Sequence, residues 1–376
     1  MNDRRQPDNR DSALPPVLDA RDKDSYPWHH LHEIWPQLLT QVREGLPYPP
    51  QTRRAIDQIE AELSAGILQP WQTPFAGQPA EPEPWRDDEH LGRAWPELPF
   101  LYAENYFASK LLDAVGYHTG PWQGIDPYGP GKAALLARET ALAPLDTLDE
   151  LAGLDTRERG HALLRTSLAG PAEVSLVIDQ SRRLWAHLAS TAPGRVCLIA
   201  DSAAAELVSD LLLIDFLLTE GFATQVDLHL PPHPWRPAQA TTADLLACLG
   251  RLPDHPHGAT LADRLWSALV DGRLEAVTHE YYCSPAPLHI EHLPAELREA
   301  FATARLTILK GDHNYRRLVQ DRLWPHETTF TTFTRTFPGP LLALRPIRTP
   351  PLVGATHGVN LDPTTTTVPG VIQIGL

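Results

Sequence analysis

Lys310-Gly311-Asp312-His313-Asn314-Tyr315-Arg316 packs two cations, a carboxylate, an imidazole, a carboxamide and a phenol into seven residues. The run follows Arg305-Leu306-Thr307-Ile308-Leu309, which reads as a buried strand, and it opens a helical stretch. Asp201 is placed alike, after Arg195-Val196-Cys197-Leu198-Ile199-Ala200 and at the start of another helix. In an open α/β sheet, strand ends that pass into helices form the crevice that takes ligands. Two aspartates delivered there, with cations beside them, suit a small phosphorylated substrate. Lys310 is a point charge for phosphate, Arg316 a bidentate fork, and Asp312 and Asn314 partners for sugar hydroxyls. The plain alternative is that Asp201 and Asp312 only cap helices and that Arg316 is solvated charge.

The elements needed to position these groups are legible. After residue 194, short aliphatic or β-branched runs at 195–200, 223–229, 274–278, 305–309, 341–344 and 370–374 alternate with helical patterns at 203–219, 241–250, 259–270 and 294–304. That alternation predicts a mostly parallel sheet covered by helices on both faces. Before it the period is helical, at 100–115, 131–142, 158–168 and 174–190. Residues 29–46 and 52–66 also read as helices, the first kinked or split at Pro36 and the second stopped by Gly66. The expected architecture is a helical N-terminal domain, 26–190, packed on a three-layer α/β/α domain, 191–376, that carries the metal and phosphate chemistry. Residues 1–25 read as a disordered polar tail. The Pro- and Trp-rich stretch 67–96 reads as a linker or ordered loop, and no internal repeat is visible.

Lys310 to Arg316 resembles the KGDLNYR signature of the DUF89 damage-control phosphatases, in the branch of the acidic-residue methyltransferase 1-like proteins. Asp201-Ser202-Ala203-Ala204-Ala205-Glu206-Leu207-Val208-Ser209-Asp210-Leu211 is similar to that branch's DNxGxELxxDL segment. Glu104-Asn105-Tyr106-Phe107, Asp126-Pro127-Tyr128 with Lys132, and Arg345-Pro346-Ile347-Arg348 against RTxK follow the same order. The resemblance runs from about Trp95 to the C-terminus. It implies a helical domain on an α/β domain. It also implies a divalent metal, manganese or magnesium with cobalt or nickel as alternatives, held at Asp201, Ser202 and Gln239. Ser202 stands where the branch has Asn, Gln239 where a PWFVSD-like segment ends in Asp, and Arg348 where it has Lys. Glu206 matches a ligand-binding position, and Asp312, His313, Asn314, Tyr315 and Arg316 form the expected substrate cradle with Lys310 and Arg348. An ion at this site would polarise a phosphoryl oxygen and acidify a bound water.

The 376-residue chain has a net charge of −15, which disfavours nucleic acid and anionic membranes as partners. Cys197, Cys248 and Cys283 form no paired motif, and no apolar leader stands at the N-terminus, so a reducing cytoplasm is expected. Lysine is confined to positions 23, 110, 132 and 310, which makes Lys132 and Lys310 stand out. His255 and His257 lie in the turn-like run Pro-Asp-His-Pro-His-Gly and read as a chance pair rather than a metal site, and His29, His30 and His32 at a helix start read as surface residues. Gly129-Pro130-Gly131-Lys132 lacks the frame of a phosphate loop. Trp71, Trp85, Trp95 and Trp122 read as packing residues. The leading expectation is a metal-dependent phosphatase of small phosphorylated metabolites such as sugar phosphates. A methyltransferase using S-adenosylmethionine on carboxylates is a second reading, although no glycine-rich turn follows the strand at Asp201. A metal-poor pseudo-enzyme that binds a phospho-ligand, motivated by Ser202 and Gln239, is a third.

Overall fold

Aliphatic runs become strands where both faces can be covered. The computed structural model describes residues 14–70, 89–170, 172–356 and 367–376. Its seven strands are β1 Val174–Asp179, β2 Gly194–Ile199, β3 Ala223–Leu230, β4 Leu274–Thr278, β5 Leu306–Lys310, β6 Leu341–Pro346 and β7 Val368–Gly375. They form one sheet in the order β1-β7-β6-β5-β2-β3-β4. Neighbours pair in parallel except β6 with β7.

Side chains alternate across the central strand β2. Val196 and Leu198 pack with helices Thr156–Ala169, Ser181–Ser190, Ala205–Thr219, Thr242–Arg251 and Gly258–Val270. Cys197 and Ile199 face the opposite layer, with helices Ala295–Thr303 and Gly311–Leu318 and with Phe330, Phe333 and Phe337. The sheet is thus the middle of three layers. β2 connects outward to its neighbour β3, whereas β5, on the other side of β2, connects to β6. The gap beyond the carboxyl ends of β2 and β5 is therefore the topological switch point.

The N-terminal part is helical, as expected. Tyr26–His29, a π-helical stretch His30–Ile34 and Trp35–Gly45 follow one another without a break. Pro36 lacks the N–H that would continue the ladder, and the wide π turn before it absorbs the mismatch, so the helix is remodelled rather than split. Helix Pro50–Ala65 ends on Gly66 at φ 79°. Helix Phe100–Ala114 is buried along nearly its whole length. Leu39, Ile56, Trp95, Phe107 and Leu111 form a second core there, and Trp235 joins it from the α/β part.

Four expectations need correction. Residues 174–179 form a strand, and the helix begins only at Ser181. Burial alternates along this strand, with Val174, Leu176 and Ile178 turned inward and Ser175, Val177 and Asp179 exposed, but the apolar Val177 blurs that alternation in the sequence. The sheet therefore begins before residue 191. The helix expected at 131–142 ends at Leu136 and yields to 3-10 turns. Residues 14–25, read as part of a disordered tail, are packed: Leu18 is buried, its N–H bonds Asp321 O at 2.7 Å, and its carbonyl accepts from Phe100 N at 2.9 Å. Leu18 and Ala20 supply the burial in this segment. Residues 1–13, most of the 67–96 stretch, and Trp71 and Trp85 lie outside the described residues.

Gly160 shows how tightly the layers meet. It lies inside helix Thr156–Ala169, where a Cβ would run into the Trp185 ring. Helix propensity alone favours Gly160→Ala by about 1 kcal/mol. Overpacking against Trp185 reverses that sign, so chemical denaturation should show Gly160→Ala destabilised by about 1–3 kcal/mol.

Candidate functional site

A cleft of about 380 Å³ opens at the switch point. It is lined by Asp201, Ser202, Glu206, Asp312, His313, Arg316 and Arg348 of the sequence-derived candidates. Tyr26, Glu104, Arg138, Ala204 and Arg236 complete much of its wall. The loops after β2 and β3 frame it. Ala203 N donates to Ala238 O at 2.7 Å and Ala240 N to Asp201 O at 2.9 Å, while Ser202 and Gln239 form an antiparallel bridge. Main-chain bonds thus zip the loop 201–204 onto 238–240.

Asp201 lies between two neighbours. Its Oδ1 accepts from Arg236 Nη2 at 2.6 Å. On the other side is Gly311, at φ 84°, where any Cβ would collide with the Asp201 carboxylate. Gly311 is thus required both by its backbone angle and by close approach. Arg236 is fixed in turn by Trp235, a buried indole whose N–H donates to Asn105 of helix Phe100–Ala114.

Helix Gly311–Leu318 divides the expected cradle. Asp312, His313 and Arg316 face the cleft, as residues about one turn apart must. Asp312 accepts from Arg345 Nε at 2.8 Å, Thr349 Oγ1 at 2.8 Å and Arg348 N at 3.1 Å. Burial alone would raise its carboxyl, but Arg345 and Arg316 overcome that and hold it below the usual aspartate range. His313 is held neutral by burial, with Arg236 and Arg316 adding repulsion. Burial and then the charge of Asp201 push Glu206 above the ordinary carboxylate range. Arg348 is largely exposed and stands 3.6 Å from Glu206.

Other candidates have structural partners instead of lining the cleft. Lys310 is buried and pairs with Asp210 at 2.8 Å and with Ser167. The expectation that it meets phosphate is corrected on that ground: its ammonium holds two helices to β5. Asn314 donates to Ala200 O at 3.1 Å and Lys310 O at 2.9 Å, locking β2 to β5. Tyr315 donates to Gln373 Oε1 at 3.0 Å inside the core. Arg316 reaches the wall, but its fork is spent on Asp321 at 2.7 and 2.9 Å and on Glu104 at 2.8 Å. Gln239 lines a second, adjoining cavity of about 220 Å³ rather than the cleft, and shares with the cleft the residues Ser202 and Arg236. Its buried Oε1 has no hydrogen-bond partner. Lys132 joins Asp126 at 2.9 Å to Asp244 at 2.8 Å.

Sequence reasoning missed Arg236, Ala204 and Glu104. Arg236 was visible only as an Arg in a segment whose counterpart has Phe. Ala204 occupies the Gly position of DNxGxEL and holds φ 55°, ψ −127°, a region that suits glycine.

The donor set does not fit the divalent ion that the resemblance implies. Asp201 is its single carboxylate and is already engaged by Arg236. An ion on Asp201 would have to share that carboxylate with a guanidinium of like charge. Ser202 and Gln239 add no charge to offset it. A separate group of potential metal donors, Cys197, Asp227 and His229, lies with its ligand atoms within 4.8 Å of one another. It is buried on β2 and β3, apart from the cleft lining, and His229 Nδ1 hydrogen-bonds the Tyr282 hydroxyl at 2.8 Å. Among the described residues, no helix is long and apolar enough to cross a membrane.

Residues 171–361, about half of the chain, match the profile of the damage-control phosphatase ARMT1-like domain. The Danio rerio protein named damage-control phosphatase ARMT1 is 27% identical over 312 residues, covering 70% of this chain and 69% of the relative. The Homo sapiens protein of that name is 27% identical over 418 residues, covering 92% of this chain and 94% of the relative. A solved DUF89 family protein from Pyrococcus horikoshii has 16% identity and a TM-score of 0.47, over 84% of this chain and 90% of that one.

Two outcomes follow from this geometry. Ala204→Gly relieves backbone strain against the entropy cost of glycine, and denaturant titration should show a net gain of about 1 kcal/mol. Because Asp312 titrates below its ordinary value of about 3.9, the stability it contributes is complete above about pH 4 and is lost as pH falls through the lower folded value. Acid unfolding followed by circular dichroism should therefore be less steep below about pH 4 in Asp312→Asn than in the parent chain.

Proposed function

The chain belongs to the damage-control phosphatase ARMT1-like family, and on that premise we propose that it is a phosphatase of metabolite repair acting on small phosphorylated metabolites such as sugar phosphates. The observation that carries the reading is the cleft at the switch point, where the guanidinium groups of Arg138, Arg236 and Arg348 share a wall with Asp201 and Glu206. Its volume of about 380 Å³ suits a small molecule rather than a macromolecule. Arg348, exposed at the edge of the cleft, offers a fork to the incoming phosphoryl oxygens. Glu206, with its raised affinity for a proton, serves the leaving sugar oxygen as an acid. Asp201 accepts a proton from the water that bonds to phosphorus as the bond from phosphorus to the sugar oxygen breaks, so that inorganic phosphate and the free hydroxyl leave. The manganese or magnesium ion of the family reading has no part in this proposal, because the single carboxylate of its donor set is paired with Arg236.

One observation favours a second reading. The Arg236–Asp201 pair at 2.6 Å ties up the carboxylate on which hydrolysis depends, and a protein so arranged would bind a phospho-ligand without turning it over. A panel of sugar phosphates, assayed for released phosphate with chelator and with added Mn²⁺, Mg²⁺, Co²⁺ or Ni²⁺, separates the two. Release from at least one substrate is expected, and Asp201→Asn should lower it by roughly 100-fold or more while the protein stays folded. No release under any of these conditions would replace the phosphatase with the binding protein.

A further inference from the structure

We propose that the guanidinium of Arg236 is the cation of the cleft, binding a phosphoryl group in place of a metal ion. The inference rests on the reading of the cleft as a phospho-ligand site, and it stands whether or not hydrolysis follows.

Three observations converge on Arg236. Its position is built rather than adventitious. Trp235 is buried and bonded to Asn105, Pro234 and Pro237 flank the pair, and main-chain bonds zip the loop to Asp201 and Ala203. Its charge is aimed at the cleft. Nη2 engages Asp201 Oδ1 at 2.6 Å, and the residue lines both the cleft and the adjoining cavity. Its side chain remains reachable from the cleft, being 23% exposed.

The other arginines are less suited. Arg316 is bidentate on Asp321 and bonded to Glu104. Arg348 is largely exposed and stands against Glu206 at 3.6 Å. Arg236 is half-enclosed and already oriented by a carboxylate, the arrangement that lets a planar fork accept phosphate at little entropic cost. Helix Ala205–Thr219 begins from the loop after β2, which is zipped to the loop of Arg236, and Ala203, Ala204 and Ala205 at its start line the same cleft, which adds favourable charge for an anion. Ser202 and Gln239 are then neutral because no divalent ion has to be balanced.

The test measures binding, not turnover. Inorganic phosphate is titrated calorimetrically into the full chain with and without EDTA, and Mn²⁺ is titrated separately into the chelator-free protein. Expected are equal phosphate affinities in both buffers, no saturable Mn²⁺ site that changes them, and at least a tenfold loss in Arg236→Leu whose fold is checked by circular dichroism. Phosphate binding that EDTA abolishes, phosphate binding absent in both buffers, or a folded Arg236→Leu that binds as the parent does would each overturn the inference. The arms with the parent chain decide it even if the variant fails to fold. Phosphate bound through Arg236 under chelator, with no sugar phosphate hydrolysed, would sink the phosphatase reading alone. Metal-dependent hydrolysis with phosphate binding lost under EDTA would do the reverse.

Discussion

The buried guanidinium of Arg316 is the joint on which this molecule turns. It reaches from helix Gly311–Leu318 to Asp321 and to Glu104 of helix Phe100–Ala114, and it lies 4.8 Å over the Phe100 ring. Asp321 then fixes Leu101 N with its carboxylate at 3.1 Å and Leu18 N with its carbonyl. Helical part, N-terminal segment and the helix that lines the cleft are thereby held by one cation. Removing either acid would leave a buried charge short of partners, which commonly costs about 3–5 kcal/mol. Glu104, raised by burial and lowered by Arg316, records that balance.

With that joint in place, the crowding around Asp201 becomes intelligible. Helix Gly311–Leu318 starts so close to the end of β2 that residue 311 can carry no side chain. Asn314 closes the same gap by bonding the last carbonyls of both strand ends. Lys310, beneath, neutralises Asp210 in an otherwise apolar layer. A run of polar residues thus performs the packing of a core, with Asp312, His313 and Arg316 facing the cleft.

This division explains what could be read from the chain and what could not. Strand runs such as 195–200 and 305–309 were legible because both faces of a central strand must be apolar, which leaves an unbroken aliphatic signal. The edge strand Val174–Asp179 is buried on one face only, and the exposed Val177 breaks its alternation, so it merged with the helix behind it. The residues at the strand ends were legible as a cluster. Their individual roles were not, because spacing gives angular position on a helix and leaves open which neighbour fills the space. Lys310 and Tyr315 look like ligand contacts until Asp210 and Gln373 are found beside them. The partner of Asp201 lies 35 residues away, on a loop whose approach is dictated by carbonyls and amides, and no side-chain pattern announces that.

Those carbonyls and amides have a consequence for descent as well as for shape. The register of 201–204 against 238–240 is written in atoms that every residue type shares. Side chains at 202, 236 and 239 are therefore passengers on a frame that survives their replacement. Substitution at any of these three positions leaves the main-chain bonds between the two loops available. The fold is conservative here because it makes no demand on the chemistry it carries.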